Sequence, residues 1–302
     1  MLHNSIAITD LICRRYSCRS YASTPVAAET QAQLAAFLRE HGTGPFGTPV
    51  RAELIAATAE DAEALRGLGT YGFVAGATGY MVGAVNPAAA MAFEDFGFVI
   101  EHAVLYATAL GLGTVWLGGT LTKSRFARAI GLRETELLAA AVALGYPAER
   151  LRGLDALIRR GARASTRLEW DQLFFEGAFG ASLDRDAAGP YATVLDMVRR
   201  APSASNKQPW RIVRDGGNDR MRWHLYLQRT RGYQGRNGVV GVADMQRIDM
   251  GIAMCHFALT AEELGLAGQW VREDPGLALP DERTSYVASW RLVQNGGKTS
   301  TH

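Results

Sequence analysis

Arg15-Tyr16-Ser17-Cys18-Arg19-Ser20-Tyr21 sets two guanidinium groups and a hydroxyl within five residues. A terminal phosphate needs that set: forked donors with fixed positive charge, joined by a neutral donor. The same arginines would also suit a helix C-terminus, where cations favour the dipole. A second stretch, LGLGTVWLGGT from Leu110 to Thr120, holds Leu117-Gly118-Gly119. The glycine pair would let bare backbone approach a flat ligand and offer it N–H groups. A helix cap at Gly111 followed by a tight turn fits that stretch equally. The third is Ala201-Pro202-Ser203-Ala204-Ser205-Asn206-Lys207-Gln208-Pro209-Trp210. Its hydroxyl and amide side chains, stiffened by prolines, could reach the polar edge of a heterocycle, and a generic capped turn would not need Asn, Lys, Gln and Trp in series.

These motifs are divided between two copies of one plan. Asp95-Phe96-Gly97 through Trp116 aligns without a gap on Asp249-Met250-Gly251 through Trp270, at an offset of 154 in a chain of 302 residues. His102 and His256, Gly111 and Gly265, and Leu112 and Leu266 coincide, and a looser match pairs Pro49-Val50-Arg51 with Pro209-Trp210-Arg211. Self-similarity at half the chain length predicts a duplicated domain built like a fused symmetric dimer. The expected division is a first half over 1–150, a connecting segment over 151–190 and a second half over 191–302. A fused dimer can keep one interfacial site and lose the other. Accordingly, the second copy reads Val271-Arg272 where the first has Leu117-Gly118, and the first has only Gly44–Pro49 where the second has its Pro-flanked loop.

The elements that must position the motifs follow from periodicity. Residues 5–14 and 27–40 read as helices, and 93–110 as a helix opened by Glu94 and Asp95 and closed by Gly111. That helix is apolar nearly all round, which predicts burial at the centre of the fold. Strands are expected over 54–58 and 79–85 with a short helix over 59–66 between them, and 137–144 reads as a buried strand or short helix. The second copy should supply helices over 191–200 and 244–264 and strands near 211–214, 222–229 and 287–294, followed by a disordered tail from Asn295. The alternation lacks the βαβ rhythm and glycine fingerprint of a dinucleotide fold, so the expected class is α+β, an α/β/α sandwich of two halves.

Composition excludes several functions. Acids and bases nearly balance, with a net charge of +2 and no long run of one sign. That gives no electrostatic case for nucleic acid or for an anionic membrane. Cys13, Cys18 and Cys255 form no CxxC pair, which argues against a disulfide framework or a zinc site. No segment reads as a signal peptide or a bilayer span. A soluble cytoplasmic protein is the expectation. His102 and His256 read as satisfied core histidines, since they repeat where the chemistry does not, and Trp116 and Trp270 as core anchors. Phe46, Tyr71 and Tyr80 are candidates to line a ligand pocket.

Together the three motifs resemble the FMN-dependent nitroreductases, which typically show R-[RH]-S-x-R-x-[FY], A-P-S-x-x-N-x-Q-P-W and G-L-G-x-x-W-x-G-G. The resemblance covers nearly the whole chain and points to the single-chain branch with an internally duplicated fold. It implies one FMN per chain in a monomeric pseudodimer. Arg15, Tyr16, Ser17, Arg19 and Arg167 would then hold the phosphate and ribityl tail. Leu117, Gly118 and Gly119 would lie by the flavin, with the backbone of Gly118 and Gly119 at N5. Pro202, Ser203, Ala204 and Asn206 would lie by the ring. Tyr16 stands where the family usually has Arg or His, and Lys207 falls at a variable position. The implied activity is ping-pong transfer of electrons from NAD(P)H to a nitroaromatic, quinone or similar small acceptor, with no side-chain acid or base required. The same resemblance admits a flavin-binding protein without turnover, or a flavin enzyme of the same fold with other chemistry, such as reductive dehalogenation or flavin fragmentation.

Overall fold

The computed structural model describes residues 6–58, 65, 68, 74–118, 123–148, 166–215, 222–232, 243–266 and 268–292. Two helices, α1 (Ile8–Arg14) and α2 (Ala28–Glu40), precede a sheet of β1 (Arg51–Ala56), β2 (Gly79–Val85), β3 (Gly113–Leu117) and β4 (Leu137–Gly145). Helix α3 (Ala92–Ala109) leaves β2 and returns to β3, and α4 (Lys123–Ala129) joins β3 to β4. A short α5 (Trp170–Leu173) and β5 (Phe174–Glu176) lead to α6 (Tyr191–Arg199). The second sheet follows, with β6 (Trp210–Asp215), β7 (Arg222–Gln228), α7 (Met245–Glu263), β8 (Gly268–Val271) and β9 (Thr284–Leu292).

The two sheets have one plan. The first is ordered β1-β2-β4-β3, and the second β6-β7-β9-β8 with β5 added parallel to β6. Every other neighbouring pair is antiparallel, and each central ladder carries a register shift, at Gly83/Ala84 and at Leu225/Tyr226. Alternation along β2 explains why all seven of its residues are buried. Met81 and Val85 join the core that holds α3, while Tyr80, Val82 and Ala84 pack in a second cluster with Val115, Leu117, Phe126 and Ile130.

Helices α3 and α7 cross at the centre, where glycine is required. A Cβ on Gly97 would stand 2.1 Å from the carbonyl oxygen of Ile248, and one on Gly251 would stand 1.9 Å from that of Glu94. Ile248 is offset from Glu94 by the same 154 residues that separate the glycines, so the contact is isologous: each residue meets the other's counterpart. Asp95 and Asp249 directly follow Glu94 and Ile248 at this crossing, and each anchors a loop.

Element positions agree with the pattern to within a few residues, with instructive exceptions. The segment read over 137–144 as a buried strand or short helix is the strand β4, and strands β1 and β9 each begin three residues earlier than expected. β3 and β8 were not expected, because Gly-rich segments of five and four residues show no alternation to read. Nor were α4, α5 or β5, the last two lying inside the connecting segment over 151–190. The helix expected over 59–66 and the tail from Asn295 fall outside the described residues, Leu65 excepted. Among the described residues no helix is long and apolar enough to cross a membrane.

His102 illustrates how the two halves diverged. Its ring meets Phe37 edge-on at 4.8 Å and His41 at 5.1 Å. Burial, with His41 adding to it, pulls its pKa down to about 4. Because the folded value lies below the unfolded one, near 6.5, the unfolded chain takes up a proton first as pH falls. Stability from this group is therefore full above pH 6.5 and lost towards pH 4, by at most about 3 kcal/mol. Urea midpoints at pH 7 and pH 5 should diverge in the wild type, and His102→Leu should shrink that difference by about one proton's worth of slope.

Candidate functional site

The arginine motif is pinned to the first sheet. Helix α1 stops at Arg14, and Arg15 turns extended (φ −60°, ψ 129°) while its N–H still bonds Leu11. The chain then runs beside β3, bridging Ser17 to Thr114, with Cys18 donating its N–H to the Thr114 carbonyl at 2.9 Å. Gly113 permits this approach, since a Cβ there would fall 2.8 Å from Cys18. The Tyr21 hydroxyl donates to the Cys18 carbonyl at 2.7 Å and lies 3.1 Å from that of Ala143, tying the motif to β4.

The Pro-flanked loop leaves α6 and is tied to α7. Ala204 donates its N–H to Asp249 Oδ1 at 2.9 Å, and Gln208 donates its N–H to Ser203 Oγ at 2.9 Å. Ser205, Asn206 and Gln208 hold φ near +50°, a left-handed conformation that non-glycine residues adopt at a cost. Burial pushes the Asp249 carboxyl well up, against the Ala204 N–H that favours its charge. In the first half Asp95 does the same for Gly44–Pro49: its two oxygens accept N–H from Phe46 at 3.0 Å and Thr48 at 2.8 Å.

Two adjoining cavities result. The larger, about 570 Å³, is lined by Arg15, Tyr16, Ser17, Arg19, Arg167, Pro202, Ser203 and Asn206, and also by Arg199 and Arg200. The smaller, about 240 Å³, is lined by Gly118, Trp116 and Ala204, and by Met245, Ile248, Asp249 and Ile252 of α7. Ser17, Arg19, Pro202, Ser203 and Ser205 line both. Residues from both halves of the chain therefore meet at one place. A Cβ on Gly118 would come 2.6 Å from the Met245 side chain, so the wall there admits only glycine without displacement.

The larger cavity is strongly cationic. Burial lowers the Arg15 pKa despite Glu101, whose Oε1 lies 3.9 Å from Arg15 Nε, and among the described residues that buried Nε has no hydrogen-bond partner. Burial, with the neighbouring charges of Arg15, Arg200 and Arg199, draws Arg167 down to about 10. Arg167 Nη1 donates to Asn206 Oδ1 at 3.3 Å and Nη2 to the Arg200 carbonyl at 3.2 Å. Like charges gathered in a desolvated cavity favour an anion bearing several oxygens.

Glu101 connects this cavity to the other half. Its Oε2 accepts from Trp116 Nε1 at 2.8 Å, and its Oε1 lies 2.9 Å from His256 Nε2. His256 Nδ1 lies 2.9 Å from the Met197 carbonyl, so each ring nitrogen faces an acceptor within hydrogen-bond reach, in keeping with a buried structural histidine. Trp116 is more than a core anchor, because it also lines the smaller cavity.

Not every expected residue arrives there. Leu117 lines neither cavity: it follows Trp116 on a strand, so its side chain points to the opposite face, into the cluster with Phe126. Tyr80 packs 5.0 Å from Phe126 in that same cluster, and Phe46 packs against the main core. Neither lines the cavities. Gly119 and Tyr71 lie outside the described residues. Met245, Ile248, Asp249 and Ile252 were missed, although their i, i+3, i+4, i+7 spacing marks one helix face.

The architecture is the nitroreductase fold. A crystal structure of a putative nitroreductase from Thermotoga maritima matches with a TM-score of 0.57 and 17% identity, over 97% of this chain and 96% of that one. The chain belongs to the family described as "Putative TM nitroreductase", whose model matches residues 7–261, and is an oxidoreductase. A putative nitroreductase in complex with FMN from Desulfovibrio desulfuricans is 23% identical over 51% of this chain and 96% of that one, with a TM-score of 0.38. A putative NADH dehydrogenase/NAD(P)H nitroreductase from Bacteroides thetaiotaomicron is 22% identical over 49% and 91%, also at 0.38. No curated protein matches.

Proposed function

We propose that the protein is an FMN-dependent oxidoreductase that takes electrons from NAD(P)H and passes them to a nitroaromatic, quinone or similar small acceptor by a ping-pong route. The observation that carries this reading is the convergence of motifs from the two halves on the adjoining cavities. The residues fit the cofactor. Arg15, with its orphaned buried Nε, Arg19, Arg167 and Ser17 are suited to hold the phosphate and ribityl tail, with Tyr16 at the rim and Asn206 fixing Arg167. Pro202, Ser203 and Ala204 form one wall of the smaller cavity, and Trp116, Gly118 and Ile252 form others. When bound there, FMN supplies the redox chemistry, accepting a hydride equivalent and releasing electrons to the acceptor. The chain supplies position and field. The guanidinium groups neutralise the phosphate, and the strained loop held by Asp249 keeps the Ser203–Ala204 wall in place. Gly118 lines the smaller cavity without a side chain, and its bare backbone is suited to give a flat ring a main-chain donor.

The chain acts as a monomeric pseudodimer with one such site. The counterpart loop at Gly44–Pro49 is short, and Val271-Arg272 replaces the glycine-bearing pair. After incubation with excess FMN and desalting, the 300–550 nm absorbance should show about one flavin per chain, bleached by NADH or NADPH and restored by a nitroaromatic or quinone. A ratio near two would mean that both interfaces bind. Flavin without bleaching would leave a binding protein, and no retained flavin would remove the reading.

A further inference from the structure

Arg51 and Arg211 occupy matching places at the start of β1 and β6, yet their partners differ. Arg51 is saturated by its own chain. It donates to Glu136 through Nε at 2.9 Å and Nη2 at 2.6 Å, to Glu53, and to the Ile130 carbonyl at 2.8 Å. The fork in turn holds the Glu136 carboxyl down at about 2. Arg211 gives Nη1 to two main-chain carbonyls, those of Gln208 at 3.0 Å and Trp210 at 2.6 Å. Among the described residues no carboxylate reaches it. Asp281 touches it only through its field, and its carboxylate is engaged by Arg283 and Thr284. Burial draws Arg211 down to about 10, which leaves it cationic at neutral pH.

Arg211 lines a cavity of about 350 Å³ with Leu168, Gln172, Phe175, Phe179, Gln228 and Pro280. None of these residues lines the two cavities described above. Phe175 and Phe179 stand 5.5 Å apart with tilted rings. The volume lies at the lower end of small-molecule sites, which combine apolar walls with a few placed polar groups, here Arg211 and the amides of Gln172 and Gln228. One fork with free nitrogens matches a carboxylate in a bidentate manner, whereas a phosphate dianion is better served by the several arginines of the larger cavity. Two phenylalanine rings favour an aromatic body, which can pack against them edge-on or offset.

We propose that this cavity is a second binding site, for a small aromatic carboxylate whose carboxylate meets Arg211 and whose ring lies against Phe175 and Phe179. The ligand supplies from outside the partner that Arg51 finds in Glu136.

The probe is benzoate, titrated into the flavin-loaded protein and followed by amide chemical shifts and by calorimetry, with benzamide as the neutral isostere. Shifts should centre on Phe175, Phe179 and Arg211, and benzamide should bind at least about tenfold more weakly, since the charge-assisted pair is lost. Arg211→Gln should weaken benzoate by a similar factor. Arg211 also holds the Gln208 carbonyl, so Phe179→Leu serves if that variant misfolds; it should weaken benzoate about threefold through the lost ring contact. Shifts centred on Ser203 and Gly118, equal binding of benzamide, or benzoate affinity unchanged in both variants would each overturn the proposal.

Discussion

Gly251→Ala should destabilise the protein by about 3 kcal/mol or more, beyond the usual range for one added methyl, because the obstacle is main chain. The new Cβ would lie 1.9 Å from the Glu94 carbonyl oxygen and 2.8 Å from the Phe98 nitrogen, and neither atom can swing aside as a side-chain end could. Alanine's better helix propensity offsets only about 1 kcal/mol of this. The helices must instead separate at the point where the two halves meet, and the rest of the core moves with them. Gly111→Ala is the contrast. Its φ is +79° with open space around it, so only the left-handed conformation is penalised, by about 1–2 kcal/mol. Urea unfolding of both variants decides the matter. A loss under about 1 kcal/mol for Gly251→Ala would mean that the crossing is looser than these distances require. Because α7 also carries Met245, Ile248, Asp249 and Ile252 into the smaller cavity, the same variant should lose flavin retention along with stability.

That crossing also marks how far the sequence could be read. The paired glycines and aspartates at a constant offset revealed a repeat, and the apolar helices around them announced a buried centre. Sheet order was not legible in the same way: the partner of β5 is 38 residues away, and three residues of edge strand carry no periodicity. The three motifs did mark the residues that gather at the cavities, because bare glycines, paired arginines and a strained loop are local features. Face and long-range partner are not local. Leu117 and Trp116 are adjacent letters of one motif, and only the pleat decides that one faces the site and the other the outer core. Likewise α7 is buried on most of its faces, the polar Gln246, Asp249 and His256 included, so the stripe from Met245 to Ile252 did not stand out. Glu101 could not be linked to His256, 155 positions away, until the helices were seen to cross.

Arg15→Gln should reduce FMN affinity by roughly a hundredfold while leaving the flavin-free protein close to wild-type stability, and the difference between those effects is informative. Arg15 is buried, and among the described residues its Nε makes no hydrogen bond and its nearest carboxylate is 3.9 Å away. It also adds to the repulsion that lowers Arg167. Removing a desolvated cation of this kind relieves strain as well as forfeiting attraction, and Glu101 keeps Trp116 and His256 as partners, so the apo protein should shift by no more than about 1 kcal/mol. In the presence of an anion the balance reverses. A charge-assisted bond in a dry cavity contributes about 1.5–3 kcal/mol. At a flavin concentration 100 times the wild-type Kd, ligand linkage stabilises the wild type by about 2.7 kcal/mol, and this gain should nearly vanish in the variant. Thermal melts with and without FMN read both quantities from the same samples. Equal loss in both would make Arg15 a folding residue, and an undiminished FMN shift would place the phosphate elsewhere. Only a loss confined to the flavin-bound melts agrees with a cavity whose arginines are held in mutual repulsion until an anion arrives.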